Sequence, residues 1–98
     1  MIKKSYTPKK NFCRVTFKLD AGINAETAAV CGDFNEWSKE THPMKRLKDG
    51  GFSTTIMLDA EKTYRFRYCL DGDRWENDAE ADGYAQNDFG TEDSLLQI

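Results

Sequence analysis

Residues 63–72, TYRFRYCLDG, decide the fold class because they carry the clearest two-residue period in the chain. Large apolar side chains take one set of alternate positions, and polar or small side chains take the other. Such alternation over eight residues is typical of a β-strand with one buried face. Asp71-Gly72 ends this run and predicts a hairpin turn, because both residues are favoured in tight turns.

The same alternation recurs on either side of this strand. Residues 12–19 and 52–58 alternate between apolar and polar side chains, and residues 27–31 and 94–98 are shorter apolar runs. Short strands at a spacing of roughly ten residues are typical of an all-β sandwich. We therefore predict an all-β, immunoglobulin-like architecture.

Domain organisation follows from length. The chain has 98 residues, which is enough for one hydrophobic core but not for two. We predict a single sandwich over residues 12–98, preceded by a polar lead-in over residues 1–11. The acidic stretch 76–92 is predicted to be a long loop.

Residues 31–37, CGDFNEW, form a second distinctive stretch, in which turn-forming residues alternate with large aromatics. The turn formers are Gly32, Asp33 and Asn35. Two aromatics three residues apart on a turn cannot both point into the core of a strand. We therefore expect either Phe34 or Trp37 to anchor the turn and the other to face solvent.

Composition argues against several functional classes. The net charge of −3 disfavours nucleic acid or an anionic membrane as the main partner. No apolar run approaches the ~20 residues of a membrane helix, and no apolar segment of a signal peptide follows the first residues, so a cytoplasmic location is expected. The three cysteines lack C-x-x-C spacing, so we expect free thiols and no zinc site.

Metal binding and catalysis are weakly supported by the sequence. Asp78, Glu80 and Asp82 match the first positions of a calcium loop, but the twelfth position is Phe89 rather than Glu. The loop is better interpreted as a solvated acidic segment. Paired carboxylates need a cleft that fixes their spacing, and the single histidine, His42, lies in a charged loop. We expect no cofactor, no metal and no catalytic residue.

An aromatic platform for sugars is the third possibility. Trp37, Trp75 and Phe89 all lie in or beside predicted turns, with polar neighbours such as Asn87 and Asp93. Sugar rings present apolar C–H faces that stack on flat aromatic surfaces. The competing interpretation is that these aromatics fill the ends of the core, and composition alone leaves both open.

An ordered set of motifs carries a family resemblance over about residues 12–98. The motifs are VCGDFNEW at 30–37, Met44, Asp49-Gly50, YRFRYCLDG at 64–72, Trp75, NDFG at 87–90 and SLL at 94–96. Together they resemble carbohydrate-binding module family 48, the isoamylase N-terminal early-set domain. Relatives in that family include the glycogen-binding domain of the AMP-activated protein kinase β subunit. The resemblance implies an immunoglobulin-like sandwich that binds α-1,4-glucan, as in glycogen or starch.

The resemblance also implies a set of binding residues. They are Trp37 and Trp75, which would stack on glucose; Arg65, at the place of a sugar-contacting Lys; Phe89 and Thr91, in place of a Leu-Gly-Thr segment; and Asp93, at the place of an Asn. An ionised Asp93 accepts hydrogen bonds but cannot donate them, unlike the Asn it replaces.

The hairpin at Asp71-Gly72 departs from the family pattern in length. Two residues, Asp73 and Arg74, lie between Gly72 and Trp75, where the kinase relatives have one residue. A two-residue turn would place Trp75 opposite Tyr68 on the core face, because one residue of slippage exchanges the faces of a strand. We predict instead a three-residue loop, Leu70 to Gly72, with Gly72 at positive φ and a bulge. Trp75 would then lie opposite Arg67 and share the face of Arg65.

The sequence thus favours non-catalytic α-glucan binding. A glycan-metabolising enzyme is a possible partner. The alternative is a structural or protein-interaction module that has kept the scaffold and lost sugar binding. An α-glucan hydrolase in its own right is the least supported function.

Overall fold

A computed structural model describes residues 2–98 as two antiparallel β-sheets packed face to face. The strands are β1 (Ile2–Tyr6), β2 (Phe12–Leu19), β3 (Ala28–Gly32), β4 (Lys45–Arg46), β5 (Phe52–Asp59), β6 (Thr63–Leu70), β7 (Arg74–Glu76), β8 (Gly83–Gln86) and β9 (Glu92–Gln97). The predicted all-β, immunoglobulin-like sandwich is confirmed. Within residues 2–98 the only helical segment is a 3-10 turn, Ala21–Ile23, so no described helix is long and apolar enough to cross a membrane.

The first sheet has the strand order β1-β2-β5-β4, and the second has the order β3-β6-β9-β8. Strand β6 is central in the second sheet: β3 pairs along one edge, while β9 and β7 share the other. Strand β9 pairs with the first half of β6 and β7 with its last three residues. Because β6 pairs with strands along both of its edges, its register determines which side chains share each face of the sheet.

The core lies between the two sheets and is built by the alternation seen in the sequence. Phe17 of β2 and Phe66 and Tyr68 of β6 are fully buried, and the Phe17 ring lies 5.2 Å and 6.3 Å from the other two in edge-to-face geometry. Such contacts add to the free energy of burying the rings. The predicted registers of the strands at 12–19 and 63–70 are therefore confirmed.

The hydroxyl of Tyr68 reaches a polar network at the edge of this core. It donates a hydrogen bond to Asp78 at 2.6 Å, and the Asp78 backbone N–H donates to the Ser94 hydroxyl at 3.0 Å. Burial and the adjacent carboxylate raise the pKa of Tyr68 far above its usual value. Asp78, one of the acidic residues considered for calcium, is thus a buried structural acceptor that holds the acidic segment against the second sheet.

Two strands lie where the sequence predicted none. Residues Ile2–Tyr6, placed in a polar lead-in over 1–11, form β1 and pair with β2, so the sandwich begins before residue 12. Residues Gly83–Gln86, placed in the long loop 76–92, form β8 and pair with β9. Both are edge strands without a buried residue, and they therefore lack the apolar alternation of a half-buried strand.

Candidate functional site

The aromatic turn after β3 is closed by hydrogen bonds to its own backbone and side chains. The backbone N–H groups of Asn35 and Trp37 both donate to the Gly32 carbonyl, at 3.1 Å and 2.8 Å. The Asn35 side chain accepts from the Gly32 N–H at 3.1 Å and donates to the Val30 carbonyl at 3.0 Å. Glu36 and Trp37 both take positive φ, at 57° and 59°, which is uncommon for residues other than glycine. The turn is therefore a fixed structure that determines where the Trp37 side chain projects.

Phe34 anchors this turn in the main core. Its ring packs against Phe17 and Tyr64, with centroids 6.5 Å and 5.9 Å apart. A Cβ atom on Gly32 would lie 2.4 Å from the Arg65 carbonyl oxygen and 2.6 Å from the Phe34 ring, so only glycine fits there. Trp37 packs outside the main core, so the predicted division of the two aromatics is confirmed for the anchor. Trp37 does not simply face solvent as predicted, because it is half-buried against a second, smaller cluster.

The two tryptophans share one face of the second sheet. Ala29 and Cys31 of β3 and Cys69 of β6 are buried on the side of that sheet away from the main core, and Trp37 and Trp75 pack half-buried against them. We call this surface the tryptophan face. Its floor consists of small side chains, which leave room for two large rings to lie on the sheet.

The β6–β7 hairpin places Trp75 on that face. Leu70 pairs with Arg74 and Cys69 with Trp75, so the loop is Asp71-Gly72-Asp73. Asp71 and Gly72 have φ of 53° and 80°, and the Asp73 N–H donates to the Leu70 carbonyl at 3.2 Å. Positive φ at both central residues is the pattern of a type I′ turn.

This geometry confirms one part of the hairpin prediction and corrects another. Trp75 shares the face of Arg65, and Gly72 has positive φ, as predicted. The loop begins one residue later than predicted, so Trp75 lies opposite Cys69 rather than Arg67. The extra residue, Asp73, is accommodated within the loop and not within the strand, and therefore the faces of β7 are not exchanged.

Contacts from other segments hold the hairpin in place. The Asp71 carboxylate accepts from the backbone N–H groups of Glu26 and Thr27, at 2.8 Å and 3.0 Å, and these bonds hold the pKa of Asp71 below its usual value. The Lys39 ammonium donates to the Gly72 carbonyl at 2.8 Å and lies 5.5 Å from the centre of the Trp75 ring. That distance is within the range of a cation–π contact.

A polar network lies further along the same face. The Arg65 guanidinium donates to the Asp93 carboxylate and to the Gln86 carbonyl, both at 3.2 Å. Asp93 is buried, and the Asn87 amide donates to its other oxygen at 2.9 Å. Asp93 therefore acts first as a fixed anion that orients Arg65, whose side chain stays 43% exposed.

Asn87 also shapes the β8–β9 loop. Its side-chain oxygen accepts from the N–H groups of Phe89 and Thr91 and from the Thr91 hydroxyl. Gly90 has a φ of 79°, which completes the turn. Phe89 is 90% exposed at the tip of this loop and lies outside both apolar clusters.

The cysteines are free and buried. Cys69 lies on the opposite face of β6 from Tyr68 and is only 2% exposed, because the two tryptophans pack against the cluster that contains it. The Cys31 thiol donates to the Ser38 carbonyl at 3.2 Å. Burial, with a smaller contribution from Cys69, raises the pKa of Cys31 to about 11. Both thiols are therefore supports for the tryptophans rather than reactive groups.

The structure thus brings some sequence-predicted residues together and leaves one apart. Trp37 and Trp75 share a floor, and Arg65, Asp93 and Thr91 belong to one hydrogen-bond network through Asn87. Phe89 meets Asn87 only through its backbone N–H, and its side chain joins neither group. Sequence reasoning missed Lys39 and the cysteine floor, because their roles depend on which residues lie opposite each other across strands.

Comparisons with known proteins agree with this architecture. Residues 7–85 match the family model of carbohydrate-binding module 48, the isoamylase N-terminal domain. The chain is similar to 1,4-alpha-glucan branching enzymes GlgB from Bacillus subtilis (36% identity over 63% of this chain and 10% of that protein) and Aquifex aeolicus (29% over 76% and 12%). The corresponding enzyme from Halothermothrix orenii is 38% identical over 46% of this chain and 7% of its own length. The chain spans about a tenth of the length of these relatives.

The family match covers most of the chain, including the aromatic turn, the β6–β7 hairpin and most of β8. The residues that carried the resemblance in the sequence lie within it, apart from those at 87–90 and 94–96. The chain therefore belongs to carbohydrate-binding module family 48, the isoamylase N-terminal domains.

Proposed function

We propose that this module binds α-1,4-glucan without catalysing its conversion, and that Trp37 and Trp75 stack on the glucose rings. The observation that carries the proposal is the position of the two tryptophans. Both lie outside the main core, half-buried on a shared floor, and each is held by a defined turn. A large aromatic ring that is fixed in place and still partly exposed is suited to stacking on the apolar face of a sugar.

Polar groups around the rings suit the hydroxyls of a glucan. Arg65 has donors to spare beyond its bonds to Asp93 and Gln86, because a guanidinium carries five N–H groups. Thr91 and the exposed Phe89 would extend the contact along the β8–β9 loop. In this proposal Asp93 contributes mainly by orienting Arg65.

The affinity should be modest. An open sheet face with two stacking rings buries only part of an oligosaccharide, and we expect a Kd on the order of 10 μM to 1 mM, about −4 to −7 kcal/mol. Weak binding of this kind is sufficient for a module whose ligand is a polymer, because a polymer offers many equivalent binding sites close together.

Isothermal titration calorimetry with maltoheptaose tests the proposal. Trp37→Ala should weaken binding at least tenfold, or about 1.4 kcal/mol. Phe12→Ala is the matched control, because Phe12 is an aromatic residue of the first sheet that is 44% exposed. Equal losses in the two variants would show that the tryptophan face is not the site. If the unaltered protein gave no heat with maltoheptaose at millimolar concentration, the module would have lost sugar binding and the interaction-module function would be favoured.

The comparison proteins suggest a biological setting for such binding. They are glucan-branching enzymes, and this chain matches only a small part of each. We propose that this module brings a glycan-metabolising enzyme to its α-glucan polymer. The enzyme would belong either to the same polypeptide or to a separate one.

A further inference from the structure

Arg67 lies on the tryptophan face but has no assigned role. In the strand ladder it is directly opposite Cys31, one of the three floor residues, and it is two residues from Cys69 on the same face of β6. Arg65 lies two residues to its other side. Arg67 is therefore placed between the tryptophan floor and the Arg65–Asp93 pair.

The side chain of Arg67 has no ion-pair partner among residues 2–98. Its Nε–H is buried and has no hydrogen-bond acceptor among residues 2–98. No carboxylate of the described chain forms an ion pair with it, whereas Arg65 is paired with Asp93. The terminal guanidinium nitrogens also make no hydrogen bond within residues 2–98, and unlike Nε they are not buried, so they are open to an acceptor from outside.

Lys39 is a second cation on this face without an acidic partner in the part of the chain described. Its ammonium is bound to the Gly72 carbonyl and lies over the Trp75 ring, and both of these partners are uncharged. Neither Arg67 nor Lys39 thus forms an ion pair with a carboxylate of residues 2–98. The negative charge of Asp73 also acts on this face, where it adds to the effect of burial in raising the pKa of Cys69.

We propose that the tryptophan face recognises an α-glucan that carries phosphate monoesters, with Arg67 and Lys39 binding the phosphate beside a stacked glucose ring. The inference rests on the proposed function and specifies its ligand. The planar fork of a guanidinium matches phosphate oxygens, and a lysine ammonium adds a point charge. A neutral glucan would satisfy hydrogen bonds here but would leave both cations without an ion-pair partner.

The rings and the cations must act together in this site. The overall negative charge of the chain repels free polyanions at long range, so two cations alone do not make a general anion site. Stacking on Trp37 and Trp75 would bring the phosphate of a bound sugar to the cations. The expected ligand is therefore a phosphate attached to glucan, and not inorganic phosphate.

The test compares maltoheptaose with singly 6-phosphorylated maltoheptaose by calorimetry at low salt. We expect the phosphorylated sugar to bind at least fivefold more tightly, with the advantage shrinking as salt is added. In Arg67→Gln the two sugars should bind with Kd values within twofold of each other. Arg14→Gln is the control, since Arg14 is an exposed arginine of the first sheet, and it should keep the full preference.

Lys39→Gln gives an independent check if Arg67→Gln fails to fold, because Lys39 is exposed and its replacement should not disturb folding. This variant should reduce the preference for the phosphorylated sugar over maltoheptaose at least twofold. Equal affinity for the two sugars in the unaltered protein would overturn the phosphate inference and leave glucan binding intact. Absence of binding to either sugar would overturn both. Inorganic phosphate should compete poorly; displacement of the phosphorylated sugar by equimolar inorganic phosphate would indicate a general anion site and contradict the proposal.

Discussion

At the scale of single residues, Phe34 and Trp37 show how one turn serves two purposes. Phe34 packs in the main core, whereas Trp37 packs only on the small floor of the second sheet. We expect Phe34→Ala to lower the free energy of unfolding by about 2–3 kcal/mol and Trp37→Ala by about 1 kcal/mol. Chemical denaturation of both variants measures the difference. A larger loss for Trp37→Ala would mean that its ring is a core residue and not a platform.

The buried thiols give a second prediction at this scale. Only the thiolate reacts with disulfide reagents, and a pKa of about 11 leaves roughly one Cys31 thiol in a thousand ionised at pH 8. Burial raises the pKa of Cys69 as well. All three cysteines are also buried, so the folded protein should resist labelling at each of them. Trp75→Ala should selectively increase the labelling rate of Cys69, as measured by mass spectrometry of labelled peptides; unchanged protection would show that Trp75 does not cover this thiol.

At the scale of elements, the β6–β7 hairpin sets the orientation of Trp75. Because Asp73 lies in the loop, its deletion should leave a two-residue Asp71-Gly72 turn with the pairing of Cys69 and Trp75 unchanged. We expect the deletion variant to retain maltoheptaose affinity within about twofold. Deletion of both Asp73 and Arg74 is the contrasting change, because the same Asp71-Gly72 turn would then pair Trp75 with Leu70 on the core face, and it should reduce affinity strongly. Equal effects of the single and the double deletion would show that loop length does not control the face of Trp75.

The elements also show what sequence could predict. Strands β2, β5 and β6 each bury one face in the main core, and their alternation predicted the correct registers. Edge strands β1 and β8 contribute little to the core, so their sequences lack that signal. The two tryptophans were predictable from their turns. The cysteine floor and Lys39 were not, because their contacts depend on cross-strand register and on the path of the loop after Trp37.

At the scale of the whole molecule, an ion pair joins the two sheets. Lys4 of β1 lies 2.7 Å from Asp82, in the segment before β8, and also donates to the Gln97 carbonyl. Burial tends to raise the pKa of Asp82, but the hydrogen bonds from Lys4 and the Gln97 N–H outweigh it and hold that pKa below its usual value. A depressed pKa stabilises the fold above the unfolded-state value of about 4, and this stabilisation is lost as pH falls through the lower folded-state value.

Lys4→Met should therefore lose less stability than the unaltered protein between pH 5 and pH 2.5. Lys62→Met is the control, because its pair with Asp59 is more than half exposed and is screened by solvent. Urea denaturation across this pH range measures both. An identical pH dependence in Lys4→Met and the unaltered protein would show that the contact between the sheets does not contribute to acid stability.

The central claim, that the tryptophan face binds α-glucan, has a direct spectroscopic test because the chain contains only two tryptophans and both lie on this face. A nitrogen-15 labelled sample should show two indole N–H signals. Titration with maltoheptaose should move both, together with the backbone signals of Arg65 and the β8–β9 loop, and should leave the first sheet unchanged. Indole signals that stay fixed at millimolar maltoheptaose, or shifts confined to the first sheet, would contradict the claim.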